Sequence, residues 1–91
     1  WMNSDLVKSS AASLAKSVLA RTELDDAGRI RQIHQTLYGR PATVSELTRG
    51  ASALIRLEKA SPDADPAKRR EAAWGWYTHA LLAANEFIYL R

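Results

Sequence analysis

Residues 38–46, Tyr-Gly-Arg-Pro-Ala-Thr-Val-Ser-Glu, contain the end of one helix and the start of the next. Gly39 stands where a helix ends in a left-handed residue, and Pro41 prevents the helix from continuing. Thr43 and Glu46 have the spacing of a capping box, in which each side chain satisfies the backbone amide of the other residue. This stretch therefore predicts two consecutive helices joined by a short turn.

Apolar residues recur at helical spacing on both sides of this turn, in four segments of the chain. We predict helices over about residues 4–21, 25–38, 44–59 and 66–90, the last starting at position 66 or 67. No segment has the pattern of a strand. The sequence therefore predicts an all-α fold, a compact array of four helices with short loops and antiparallel neighbours wherever the loops are short.

Each predicted helix has one apolar face that we expect to be buried. The faces comprise Leu6, Val7, Ala11, Leu14, Ala15, Val18 and Leu19; Ile30, Ile33, His34, Leu37 and Tyr38; Leu47, Ala51, Leu54, Ile55 and Leu57; and Ala73, Trp76, Tyr77, Ala80, Ala84, Phe87 and Ile88. Trp74, Leu81 and Leu82 extend the apolar surface around the fourth helix. A helix that is apolar over so much of its circumference is expected at the centre of its domain.

The length and composition of the chain limit what it can be. Its 91 residues, 46% of them hydrophobic, fit a single domain over residues 1–91 with a modest core. The net charge of +3 is spread along the chain, apart from the run Lys68-Arg69-Arg70, which we interpret as a solvated face. The absence of cysteine excludes disulfides, thiolate nucleophiles and zinc–cysteine sites. No apolar run is long enough to span a bilayer.

The two histidines do not indicate a metal or catalytic site. His34 and His79 are not at the spacing of a ligand pair, so we predict that His34 is a hydrogen-bonded residue at the edge of the core and that His79 lies on a solvated strip. The segment Asp63-Ala64-Asp65 lacks the glycine and the final glutamate of a calcium loop. We therefore predict no catalytic residue, no cofactor and no metal.

Arg40 and Glu86 are the two charged residues for which we expect a structural role. Arg40 is constrained in the turn between Gly39 and Pro41, and Glu86 lies among apolar residues in the last turn of the final helix. Because the capping box already engages Glu46, we predict that Arg40 pairs with Glu86. This ion pair would hold the turn against the final helix.

Large apolar side chains at the start of the chain and in the last helix predict an interface. The chain begins Trp1-Met2, which we interpret as the boundary of a fragment of a larger protein. Side chains that pack against the rest of that protein would be uncovered in the fragment. The predicted interface residues are Trp1, Leu6, Trp74, Trp76 and Tyr77.

Four stretches of the chain have a distinctive pattern: Trp1-Met2-Asn3-Ser4-Asp5-Leu6-Val7, residues 30–38, residues 38–43 followed by Glu46-Leu47, and Trp74 with residues 81–89. They resemble the C-terminal domain of unknown function of a family of large planctomycete proteins, many of which carry a cytochrome-c-type domain. The resemblance implies the C-terminal piece of a larger exported protein, with an extracytoplasmic location and any haem ligands in another domain. It implies no catalytic residue for this segment.

We therefore expect a non-catalytic structural or protein-interaction module of a larger extracytoplasmic bacterial protein. Its partner would be the remaining domains of that protein or another protein. Two alternatives stay open. One is a nucleic-acid-binding helical module, favoured by the basic balance, by Lys68-Arg69-Arg70 and by Arg40. The other is an enzyme site that missing domains complete.

Overall fold

The computed structural model describes the backbone of residues 5–89 and the side chains of residues 9–84. It contains four helices, α1 (Asp5–Ala20), α2 (Asp26–Tyr38), α3 (Val44–Ala60) and α4 (Pro66–Tyr89). Residues 5–89 contain no strand. The predicted all-α fold with four helices and short loops is confirmed.

The chemistry of the helix ends explains where the turns lie. Asp25 caps α2 by accepting a hydrogen bond of 2.7 Å from the Gly28 backbone N–H. Gly39 ends α2 with a φ of 70°, a left-handed conformation that glycine adopts without strain. The capping box of Thr43 and Glu46 is formed with both of its hydrogen bonds. These caps keep the turn between α2 and α3 short.

The helices pack as two central and two lateral elements. Both α2 and α4 contact all three other helices, whereas α1 and α3 do not contact each other within the described part of the chain. Trp74 on α4 is 1% exposed and lies in the core that these contacts form. The buried core consists of Ala15, Val18, Ile30, Ile33, Leu54, Ala73, Trp74 and Tyr77.

Helices α2 and α4 run parallel to each other. Three polar contacts join them, from Asp26 to Arg70, from His34 to Tyr77 and from Tyr38 to the backbone carbonyl of Leu81. The partners are 44, 43 and 43 residues apart in sequence. Two helices with equal rise per residue keep a constant offset only when they point the same way. Helix α3 is therefore the return segment between them.

The buried faces of α3 and α4 differ in rotation from the predicted faces. On α3, Ile55 is 55% exposed and Ala51 is exposed, whereas Gly50 and Leu54 are buried. On α4, Ala80 is exposed instead of buried. Trp76 and Ala84 on α4 are also exposed. When a helix has apolar residues on several sides, its packing against neighbouring helices determines which side is buried. Glycine has no side chain and therefore does not mark a buried face in the sequence. The predictions of burial for Ala51, Ile55, Trp76, Ala80 and Ala84 are therefore wrong.

Two glycines inside helices have opposite surroundings, which gives a matched pair of substitutions. A Cβ at Gly50 would lie 2.7 Å from the Tyr77 hydroxyl and 3.1 Å from Ile30 Cδ1, whereas a Cβ at Gly75 meets nothing within 4 Å. We expect Gly50→Ala to lower the free energy of unfolding by about 1–3 kcal/mol through overpacking. Gly75→Ala should raise it by about 0.5–1 kcal/mol, because alanine favours the helix. Urea unfolding of both variants measures these changes, and shifts of the same sign would contradict the described approach of α3 to α4.

Candidate functional site

Polar side chains from α2, α3 and α4 meet beneath the turn between α2 and α3. The imidazole of His34 is 2% exposed, and its Nε2 lies 3.4 Å from the Tyr77 hydroxyl. Its Nδ1 lies 3.7 Å from Oε2 of Glu46. Glu46 in turn binds the Arg40 guanidinium through two hydrogen bonds of 2.8 and 3.0 Å. We refer to His34, Tyr77, Glu46 and Arg40 as the His34 cluster.

Glu46 has two structural roles at once. Its Oε1 accepts from the Thr43 backbone N–H at 2.8 Å and also from Arg40. The expected pair of Arg40 and Glu86 rests on the assumption that the capping box leaves Glu46 no capacity for Arg40. That assumption is wrong because a carboxylate has two oxygens and about four lone-pair sites. Glu86 lies outside the residues whose side chains are described, so its pairing with Arg40 stays a prediction.

The electrostatics of the cluster follow from burial and from the guanidinium. Hydrogen bonds from Arg40, and then from the Thr43 backbone, lower the pKa of Glu46 to about 2. Burial lowers the pKa of His34, so the imidazole is neutral at pH 7. Burial raises the pKa of Tyr77 to about 12, so its hydroxyl keeps its proton. A neutral imidazole that accepts from Tyr77 at Nε2 carries its proton on Nδ1, which faces Glu46.

We expect the domain to lose stability in two stages as the pH falls. Both folded-state pKa values are depressed, so the unfolded chain binds these protons more readily than the folded chain. The contribution of His34 is present above pH 6.5 and is lost as the pH falls below that value. The contribution of Glu46 is lost between pH 4.5 and about 2. Urea unfolding at several pH values measures both stages.

Two variants isolate the contribution of Glu46 to this profile. Glu46→Gln keeps an acceptor for the capping box but cannot titrate, so the loss between pH 4.5 and about 2 should be smaller than in the wild type. Glu71→Gln is the control, because that exposed carboxylate lies 3.9 Å from Lys16 and touches none of the cluster. Equal pH profiles for wild type and Glu46→Gln would contradict the assigned role.

A buried arginine caps the C-terminal end of α1. Arg29 is 9% exposed, and its Nε donates to the Val18 carbonyl at 2.9 Å. Its Nη2 donates to the Arg21 carbonyl at 3.2 Å and its Nη1 to Asp26 Oδ1 at 3.0 Å. The last carbonyls of a helix have no partner within the helix. Arg29 gives the Val18 and Arg21 carbonyls a second donor beside the backbone N–H groups of Arg21 and Leu24. Arg29 was not predicted as a functional residue, although its position four residues before Ile33 places it on the buried face of α2.

The basic run at the start of α4 is more than a solvated face. Arg70 donates to Asp26 Oδ1 at 2.7 Å, and its guanidinium lies 5.8 Å from the Trp74 ring centroid. This hydrogen bond is the largest cause of the lowered pKa of Asp26. Arg69 donates to the carbonyls of residues 63 and 64, each at 3.0 Å, and so fixes the loop before the helix. Only Lys68 fits the predicted solvated role.

A groove of about 580 Å³ lies between α1 and α4. We call it the α1/α4 groove. The small residues Ala12 and Ala15 on α1 and Ala72 and Gly75 on α4 form what we call its floor. The groove is also lined by Lys68, by His79 and by the exposed ion pair of Lys16 and Glu71. Trp76 forms part of its wall with 60% of its surface exposed. The floor is thus open to a side chain or a helix that packs beside the indole.

A second, larger groove of about 1210 Å³ lies between α3 and α4, and we call it the α3/α4 groove. Arg49, Ser52 and Arg56 line its α3 side, and Ala80 and Leu81 line its α4 side. The His34 cluster lies at the end of this groove that is closest to the turn. The two grooves flank α4, and both combine apolar and charged side chains. Small residues and the indole of Trp76 provide the apolar part of the first groove, and three arginines line the second.

The predicted interface residues separate into two groups. Trp74 is 1% and Tyr77 is 7% exposed, so the prediction of an uncovered surface does not hold for these two residues. They lie three positions apart on one face of α4, and their rings pack edge to face with centroids 6.1 Å apart. Trp76 points away from that face and is exposed. Trp1 and Leu6 lie outside the residues whose side chains are described.

No protein-family model, curated protein or solved structure matches the chain. The resemblance to the planctomycete domains therefore stays a prediction. Among residues 5–89, no helix is long and apolar enough to cross a membrane. The same part of the chain contains no cluster of three or more His, Asp or Glu residues that could hold a metal ion.

Proposed function

We propose that the chain is a non-catalytic protein-interaction module of a larger extracytoplasmic bacterial protein. The α1/α4 groove receives a helix from another part of that protein. The observation that carries the proposal is Trp76, a large indole that is 60% exposed at the wall of this groove. Tryptophan is enriched among the residues that dominate the binding energy of interfaces.

The floor of the groove supports a helix as the occupant. Small residues on two packed helices let a third helix pack with its axis about 8–10 Å from theirs. The Cβ-less Gly75 has no neighbouring atom within 4 Å of its missing side chain, so this part of α4 is uncovered. Trp76 would lie along the side of the incoming helix and bury its apolar ring there.

The alternatives have less support in the described side chains. Arg40, Arg69 and Arg70, which favoured nucleic-acid binding, each donate to acceptors within the chain. An enzyme site would need an accessible reactive group, whereas the imidazole of His34 is buried. A steep fall of affinity with salt would favour nucleic acid over a protein partner.

The experiment uses the chain and the rest of the larger protein, expressed separately. Isothermal titration should detect binding between the two. Trp76→Ser and Gly75→Gln, which remove the indole and fill the floor, should each weaken binding about tenfold or more. Val44→Ser is the matched control, because Val44 is 80% exposed on α3 and lies away from the groove.

Two outcomes would overturn the proposal. One is a wild-type chain that shows no binding to the rest of the larger protein. The other is equal affinity for the wild type, Trp76→Ser and Gly75→Gln. Circular dichroism of each variant separates a lost contact from a lost fold, and Gly75→Gln should keep its helix because glutamine is the better helix former.

A further inference from the structure

Two arginines on one face of α3 face the α3/α4 groove. Arg49 and Arg56 are seven residues apart, which places them about 10.5 Å apart along the helix axis. Both are exposed and both line the groove. In the described part of the chain, no carboxylate lies within 4.0 Å of either guanidinium. They differ in this respect from Arg40 and Arg70, which are paired.

The remaining groups of the groove leave this charge uncompensated. Arg40 and Glu46 neutralise each other through their two hydrogen bonds. His34 is buried and neutral at pH 7. Among the described residues that line the groove, the net charge therefore comes from Arg49 and Arg56. The floor between the helices is apolar and is formed by Leu37, Ala53, Ala80 and Leu81.

We propose that the α3/α4 groove binds an acidic amphipathic helix of a partner protein. Two carboxylates of that helix, two turns apart, pair with Arg49 and Arg56, and its apolar side chains pack on Ala80 and Leu81. The charge of the two arginines and their spacing along α3 support this partner. A helix aligned with α3 repeats its side chains over two turns at the same distance of about 10.5 Å, and guanidinium and carboxylate form matched bidentate pairs.

The apolar floor favours a peptide over a nucleic acid. The phosphates of a nucleic acid would pair with the arginines, but its sugars and bases would find no hydrogen-bond donor on the side chains of Leu37, Ala80 or Leu81. Leucine side chains of an amphipathic helix bury apolar area on this floor. The proposal concerns a different surface from the α1/α4 groove and does not depend on the function proposed for it.

The test uses a labelled synthetic helix of about 18 residues with two glutamates seven positions apart and leucines on the same face. A second peptide carries glutamine at the two positions, and a single-stranded oligonucleotide serves as the third probe. Fluorescence anisotropy should detect binding of the acidic peptide to the full chain. The glutamine peptide should bind at least about tenfold more weakly.

Variants of the chain complete the test. Arg49→Gln with Arg56→Gln should weaken binding of the acidic peptide by about tenfold or more. Arg31→Gln is the matched control, an exposed arginine of α2 outside the groove, and should leave binding unchanged. Trp76→Ser should also leave it unchanged, since Trp76 lies at the other groove. Circular dichroism confirms that each variant keeps its helices.

Three results would overturn the proposal. The first is equal binding of the acidic and the glutamine peptide. The second is unchanged binding by the double arginine variant. The third is tighter binding of the oligonucleotide than of the acidic peptide, lost in the double variant, which would assign the groove to nucleic acid.

Discussion

Replacement of Trp74 by alanine should lower the free energy of unfolding by about 3–5 kcal/mol. The indole is 1% exposed and is the largest fully buried side chain of the described residues. Its removal leaves a cavity between helices and also removes the edge-to-face contact with Tyr77. Domains of this size are stable by only about 5–15 kcal/mol, so the variant should be partly unfolded or unfold at low urea.

Trp76 gives a control of the same residue type, two positions away. It is 60% exposed, and Trp76→Ala should change the free energy of unfolding by no more than about 0.5 kcal/mol. Trp74→Phe keeps a folded reference, because it fills part of the cavity. Urea titration followed by circular dichroism compares the three variants. Similar losses for Trp74→Ala and Trp76→Ala would contradict the rotation of α4 described above.

Arg29→Ala should lower the free energy of unfolding by about 2–4 kcal/mol. The substitution removes the charged donor of the Val18 and Arg21 carbonyls, which keep only the backbone N–H groups of Arg21 and Leu24, and it removes one of the partners of Asp26. A hydrogen bond to a charged group contributes about 1.5–3 kcal/mol, and removal of one member of a buried ionic network costs about 3–5 kcal/mol. Because the Arg29 network is partly solvated at Asp26, we expect the middle of this range.

Lysine distinguishes the geometry of the guanidinium from its charge. Arg29→Lys keeps the charge but cannot reach three acceptors with a planar fork, so it should recover only part of the loss. Arg31→Ala, an exposed arginine of the same helix, is the control and should be nearly neutral. Full recovery by lysine would show that the hydrogen bonds to the end of α1 contribute little.

The ends of the helices could be predicted because local chemistry determines them. Gly39, Thr43 and Glu46 act on residues within one turn of themselves, and the structure forms both caps. The rotation of α3 could not be predicted in this way. Gly50 has no apolar side chain, yet the absence of its Cβ is what lets the Tyr77 hydroxyl approach α3.

The polar contacts of the candidate site depend on distant parts of the chain. Arg29 is of a residue type that is usually exposed, and two of its three acceptors are carbonyls at and just beyond the end of α1. Arg70 belongs to a basic run, and only α2 supplies Asp26. The sequence did indicate a buried, hydrogen-bonded His34, and the hydrogen bond to Tyr77 agrees with this, although the imidazole is deeper in the core than predicted.

The constant offset between α2 and α4 affects how the domain can move. Displacement of α4 by one helical turn, about 5.4 Å, would break the contacts from Asp26, His34 and Tyr38 together. Some signalling proteins respond to a ligand with a ratchet of this kind, in which one helix slips a turn past its neighbour. In this domain all three contacts oppose such a slip, because each of them would be broken by it. We therefore expect a ligand bound beside α4 to rotate the domain as one rigid body instead of sliding α4 along α2.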